Sequence, residues 1–348
     1  MFNYPRNFFY LFLFICLLLG GASCGLKVTS KVSGGVYVSD NQGTSWQVKS
    51  YIGKQKNKDI TLQNNSIKQI IFNQSDTKII YAISEGKLAG LFKTSDQGVN
   101  WQVVVTGQLN GLALQPKNDQ VIYAISDSKV ARSKDGGEAW VEVYLETTKD
   151  VKLNQIAVDS FNPEVVYVGN DKGVILLSQD QGTSWQQVHY LTGGLAHLIV
   201  KNNIIYASQP SGKLWRSYDR GKNWEDLTTN LRREIKGNLG SARALVFLPE
   251  SDKALLYATN YGLSRSLDGG QNWDNLKLVT SSGSIAITAL AVGPLNGRQI
   301  YYTSDQAFYR SSDAGVTWET LALPISARPL NLAVSPQNNN LIFMGFNR

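Results

Sequence analysis

Two cysteines and two histidines are all that this sequence of 348 residues holds of thiol and imidazole groups. His189 and His197 have no carboxylates near them at zinc-ligand spacing, so no metal is expected. Cofactor signatures are missing as well: the chain has no phosphate-cradling glycine loop, no dinucleotide fingerprint and no nucleophile elbow. No cofactor is therefore expected. No stretch of the mature chain carries the period of an amphipathic helix. The one long apolar run, residues 8–19, is too short and wrongly flanked for a stable membrane-spanning helix.

That run belongs to a leader. Arg6 precedes it, and Gly20-Gly21-Ala22-Ser23 follow it before Cys24, the pattern of a secretory signal over residues 1–23. Cleavage removes Cys16 and leaves Cys24 as the single thiol, which cannot form an internal disulfide. Residues 18–24, Leu-Leu-Gly-Gly-Ala-Ser-Cys, resemble the lipobox of bacterial lipoproteins, with Gly21 where that pattern usually has leucine. The resemblance implies that Cys24 becomes a lipidated first residue, with residues 24–34 as a tether. Ordinary cleavage to a secreted form is the alternative.

What the chain has in abundance is one turn. Serine or threonine, aspartate (once asparagine) two residues on, then glycine and tryptophan recur seven times at fixed offsets, and seven of the eight tryptophans are spent on it. The pairs of that position with tryptophan are Asn41/Trp46, Asp96/Trp101, Asp135/Trp140, Asp180/Trp185, Asp219/Trp224, Asp268/Trp273 and Asp313/Trp318. Hydroxyl and carboxylate can accept backbone N–H groups of their own turn, and glycine serves where φ must be positive. Asn41 can replace aspartate in that role. Tryptophan then starts the next strand and packs against neighbours, a ring whose full burial would be worth at most about 4–6 kcal/mol. Acids repeated on equivalent turns read as scaffold rather than as metal ligands or catalytic groups.

Successive tryptophans of the turn are 39 to 55 residues apart, the repeat length of a propeller blade. Each unit holds four strand-like runs, the second of them β-branched and aromatic, as in Ile-Ile-Tyr-Ala-Ile-Ser from Ile79 and Val-Val-Tyr-Val-Gly-Asn from Val165. The chain begins with a third and fourth run (residues 36–51) and ends with a first and second (330–346). The expected fold is all-β: a seven-bladed propeller over residues 35–348 that closes by pairing its two ends.

The turn resembles the Asp-box (BNR-type) repeat of sialidases, xyloglucanases, sortilin-type receptors and photosystem II assembly factors. Residues 162–169, followed by Gly173, look most like sortilin-type and xyloglucanase repeats. The resemblance implies that the turn joins third and fourth strands at the blade periphery. It also implies ligand sites on the opposite face, in the fourth-to-first and second-to-third connections.

Sialidase chemistry is argued against, because the chain has no Arg-Ile-Pro motif. Its Arg132, Arg216, Arg265 and Arg310 each precede a turn serine instead of converging as a triad. A xyloglucanase-like glycoside hydrolase is the alternative enzyme reading, with Glu85, Asp127, Asp171 and Asp305 as the carboxylates available on the ligand face. Lysines 87, 129 and 172 stand beside three of them, which favours solvated loop charges. Without the leader the chain carries 33 basic and 27 acidic residues, an excess of +6. That excess gathers in two fourth-to-first connections, with Lys54, Lys56 and Lys58 in one and Arg232, Arg233, Lys236 and Arg243 in the other. These residues, with His197, are the candidate binding set.

The function expected is a non-catalytic, exported, lipid-anchored binding or assembly protein. Its partner is a protein, an anionic glycan or lipid headgroups. Nucleic acid is not expected for an exported chain, and the expected state is a monomer.

Overall fold

The second run of every repeat is apolar at consecutive positions, which suits a strand buried on both faces rather than one with a wet side. In the computed structural model, which describes residues 34–235, 239–279, 283, 286–295 and 297–348, these runs are central strands, fully buried from end to end in Ile204–Ser208 and Leu255–Thr259. The expected leader (residues 1–23), most of the expected tether, Cys24 and Lys236 lie outside the described residues. Residues 33–348 form one compact unit.

Seven four-stranded antiparallel sheets make a seven-bladed propeller. Blades 1 to 6 run in chain order, beginning at Ser66, Gly111, Leu153, His197, Ala242 and Ala289. Blade 7 is composite. Gly35–Ser39 lies between Gln47–Val48 and Asn338–Phe346, with Tyr37 opposite Met344, and Pro329–Ser335 completes the sheet. The two ends of the described chain therefore close the ring as the sequence implies.

Two elements depart from expectation. The Lys54–Lys58 stretch, expected as a loop, is a separate hairpin of Tyr51–Gln55 and Lys58–Thr61. The stretch bearing Arg232 and Arg233 is a short helix, Thr228–Glu234. Leu231 is buried there beside Leu227, Ile235 and Leu239, and the Asp226 carboxylate accepts the Thr228 N–H at 2.8 Å. Seven residues with two buried side chains are too few to display a helical period.

The turn motif has the same geometry in all seven copies. The hydroxyl donates to the acid or to Asn41 at 2.7–2.9 Å. It accepts the glycine N–H at 2.7–2.9 Å. The acid or Asn41 oxygen in turn accepts the N–H just before tryptophan at 2.8–2.9 Å. Each turn glycine has φ between 82° and 98°. A Cβ on Gly270 would sit 2.5 Å from Leu227 of the preceding blade, so glycine also lets the blades meet.

The tryptophans are less uniform than the motif suggests, and the full burial for which one ring was valued is reached by only two of the seven. Trp101 and Trp273 are buried, whereas Trp46, Trp140, Trp185, Trp224 and Trp318 are only half-buried. The cause is what covers each ring. Every one starts an outer strand at the blade periphery, where one side meets protein and the other meets water. Trp46 packs edge-on to Phe308 at 5.4 Å and Trp318 to Tyr302 at 4.9 Å. Trp140 donates its indole N–H to the Gly137 carbonyl of its own turn at 3.1 Å. The two buried rings have an additional cover. Trp101 shares a cluster with Leu62 and Ile52 around the hairpin, and Trp273 shares one with Leu227 and Leu231 at the helix. A stability cost scaled to full burial therefore applies to Trp101 and Trp273, not to Trp185 or the other four.

The arginines before the turns are clasps between blades. Arg132, Arg216, Arg265 and Arg310 donate to the carbonyls of Gln181, Gly269, Ala314 and Gln42, each the residue before the turn glycine of the next blade. Lys93 does the same to Gly136 at 3.1 Å. Arg216, Arg265 and Arg310 also pair with Glu225, Asp274 and Glu319 on their own outer strands. They are spread round the periphery and form no converging triad.

Candidate functional site

Antiparallel strands alternate in direction, so all fourth-to-first and second-to-third connections emerge at one end of the ring. The turn motifs occupy the other end. Every sequence-proposed binding residue within the described chain therefore lies at, or just inside, one mouth.

A central channel of about 560 Å³ opens through the ring, lined by the first strands of all seven blades. Each first strand turns one hydrogen-bonding edge towards the channel, and those groups need partners. Side-chain amides supply them across the blade boundaries. Gln69 exchanges two bonds with the Leu112 backbone, at 2.9 and 3.1 Å. Asn110 donates to the Leu153 carbonyl at 2.8 Å. Asn154 and Gln155 donate to Leu195 and Ala196, and the Asn331 carbonyl oxygen accepts the Ile70 N–H. The amides stitch the inner wall, with the buried Asn154 Oδ1 left without a partner among the described residues.

His197 belongs to the same wall. Its Nδ1 lies 2.9 Å from the Ser208 hydroxyl. Part of the ring faces the channel, but protein surrounds it, and that desolvation holds its pKa down to about 4 against the opposing bond to the Arg243 backbone. It is a neutral imidazole at physiological pH. His189 is elsewhere, stacked at 4.8 Å on Trp224 at the periphery. Among the described residues no group of three His, Cys, Asp or Glu side chains could hold a metal.

The four candidate carboxylates are each matched with a cation. Glu85 pairs with Lys68 at 2.6 Å and Asp127 with Lys152 at 2.8 Å. Asp171 pairs with Lys172 at 3.3 Å and Asp305 with Arg328 at 3.4 Å. The bond from Lys152, then that from Asn110, lowers the Asp127 pKa. Lys129, expected beside Asp127, instead pairs with Glu142 on the outer strand of its own blade at 2.7 Å.

The basic residues divide into three places. Arg243 lines the channel with His197, its Nε held by the Asn260 side chain. Arg232 and Arg233 are exposed in the last turn of Thr228–Glu234, between blades 4 and 5, where cations complement the helix dipole. Lys54, Lys56 and Lys58 are exposed on the hairpin between blades 7 and 1, across the mouth. The expected patch is two lobes.

Beside the hairpin is a groove of about 770 Å³ that also takes in Lys87 and Leu88 of blade 1. Sequence reasoning placed Lys87 only against Glu85 and missed this groove. The signal available was Lys56-Asn57 between two short runs, a two-residue turn read as a charged loop. Among the described residues none of Lys54, Lys56, Lys58, Lys87, Arg232 or Arg233 has a carboxylate within ion-pair distance.

No protein-family model and no curated protein matches the chain. Among solved structures it is similar to YCF48 from Cyanidioschyzon merolae, with a TM-score of 0.61 and 15% identity over 81% of this chain and 95% of that one. A structure described as YCF48 bound to D1 peptide gives a TM-score of 0.62 and 16% identity, over 82% and 93% of the two chains. The GH74 xyloglucanase from Xanthomonas campestris gives 0.65 and 15%, over 87% of this chain but 52% of that one. This chain thus spans about half the length of that enzyme. At such identities the likeness establishes the propeller fold alone.

Proposed function

We propose that the protein is a non-catalytic binding or assembly protein of the Asp-box propeller type, exported, and held to a membrane by a lipid on Cys24. It presents the channel mouth to an anionic region of a protein partner. One observation carries this reading: at that mouth the candidate carboxylates are paired with cations, while the lysines of the hairpin and the arginines of the helix have no acidic partner among the described residues. A glycosidase needs one carboxyl kept protonated and a second ionised about 5–9.5 Å away. Asp127, whose pKa is lowered by the bonds from Lys152 and Asn110, does not suit the protonated role. A similar fold described as bound to a peptide agrees with a protein partner.

The test is affinity capture from membranes by the anchored protein, repeated with Arg232→Glu/Arg233→Glu and with Lys56→Glu/Lys58→Glu. With a Debye length of about 8 Å at physiological salt, capture should fall as salt rises from about 0.05 to 0.5 M. Either double reversal should weaken it without unfolding the ring. Release of reducing sugar from xyloglucan by the purified protein would overturn the proposal in favour of a hydrolase. The anchor is tested by metabolic labelling with a fatty-acid analogue. Label should enter the wild type and not Cys24→Ala, and an unlabelled wild type removes the anchor from the reading.

A further inference from the structure

Resting on the binding reading above, we infer that the hairpin is a strand-addition site: an acidic, extended protein segment pairs with the open edge of Lys58–Thr61. Tyr51–Gln55 and Lys58–Thr61 form a two-stranded sheet apart from the seven blades. Lys58–Thr61 has a strand on one side only. A two-stranded ribbon leaves its outer N–H and C=O groups as a template for another chain.

The turn fixes which groups these are. Lys56 and Asn57 have φ of 47° and 61°, the left-handed pair of a two-residue hairpin turn, and Gln55 stands opposite Lys58. The residues flanking such a turn bond to each other, so the next residue, Asp59, points its backbone N–H and C=O outward. The groove of about 770 Å³ follows this edge, with Lys58, Asp59, Ile60 and Thr61 on one wall and Lys87 and Leu88 on the other. The base of the hairpin is anchored, because Leu62 donates to the Ser50 carbonyl at 2.7 Å and Trp101 to that of Tyr51 at 2.8 Å.

Charge selects the occupant. Lys56, Lys58, Lys87 and Arg348 line the groove against one acidic side chain, Asp59, and none of the three lysines has an ion-pair partner among the described residues. A glycan or lipid headgroup could meet the lysines but could not continue a backbone ladder. A peptide with alternating carboxylates meets both requirements.

The probe is a labelled ten-residue peptide alternating Asp and Val, titrated by fluorescence anisotropy against the full chain. Asp59→Ala removes the opposing charge and should tighten binding. Asp59→Pro removes the same charge but also the outward N–H, at an edge position where proline is tolerated. Losing that bond should leave Asp59→Pro about tenfold weaker than Asp59→Ala. The same peptide N-methylated at alternate residues keeps its charge and should also bind the wild type about tenfold more weakly. Equal affinity of both variants, together with full binding of the methylated peptide, overturns strand addition and leaves the basic-mouth reading standing. No binding of either peptide overturns strand addition too, and capture from membranes then decides the broader reading independently.

Discussion

The hydroxyl of Ser178 takes part in three hydrogen bonds, donating to Asp180 and accepting the N–H groups of Gly182 and Asp180, and it is buried. Asp180 is on the surface. The motif's buried polar atom is thus the hydroxyl, although the aspartate is what the eye finds in the sequence. Ser178→Ala strands the buried Gly182 N–H and should cost about 1–3 kcal/mol in urea denaturation. Asp180→Asn should leave the urea midpoint near wild type at neutral pH, because Asn41 does the same work in blade 7. Acid should separate Asp180→Asn from wild type. Bonds from the Ser184 side chain, then its backbone N–H, hold the Asp180 pKa near 2, below its ordinary 3.8. That contribution is complete above about pH 4 and is lost as pH falls towards 2. Asp180→Asn should therefore lose less stability than wild type over that range. A midpoint for Ser178→Ala unchanged from wild type would refute the assignment.

Strands were legible because each repeats seven times with its turn, so a weak local signal is read many times over. The inner-wall amides were not, although the same repeats contain them. Gln69 and Leu112 are 43 residues apart, as are Asn110 and Leu153, one repeat in each case. An acceptor one period away looks like nothing local. The hairpin and the helix occur once each, in two long connections, and no repetition reinforced them. The unequal burial of the tryptophans followed from the same omission, since Trp101 and Trp273 owe their cover to those two elements. The clasps were half legible: the regular spacing of the arginines excluded a converging site but did not reveal the carbonyls they reach. Arg216 is the most buried of them, joined to the Gly269 carbonyl and Glu225 and lying 4.1 Å from the Tyr218 ring centroid. Arg216→Met should cost about 2–3 kcal/mol, less than a fully buried pair because Glu225 is half in water. Arg310→Met, at a more exposed clasp, should cost less in the same urea titration. Equal costs at the two sites would mean that burial does not set the strength of the clasp.

Closure of the ring joins residues some 300 apart, since Tyr37 stands opposite Met344. Bringing such distant segments together carries a chain-entropy penalty on the order of 5 kcal/mol, whereas each of blades 1 to 6 folds from contiguous sequence. The closing contacts should therefore form late, after the penalty has been met by blades that stack without them. Tyr37 reports on this step. It is buried, packs edge-on to Phe346 at 5.2 Å and lies on the strand that completes blade 7. Tyr37→Ala should destabilise the protein by about 3–5 kcal/mol. If closure is late, nearly all of that loss should appear as faster unfolding, with the refolding rate within about twofold of wild type. Stopped-flow refolding and unfolding across a urea series separates the two arms. Slower refolding with unfolding unchanged would instead put the composite blade in the folding nucleus, with the ring closing before its middle blades have formed.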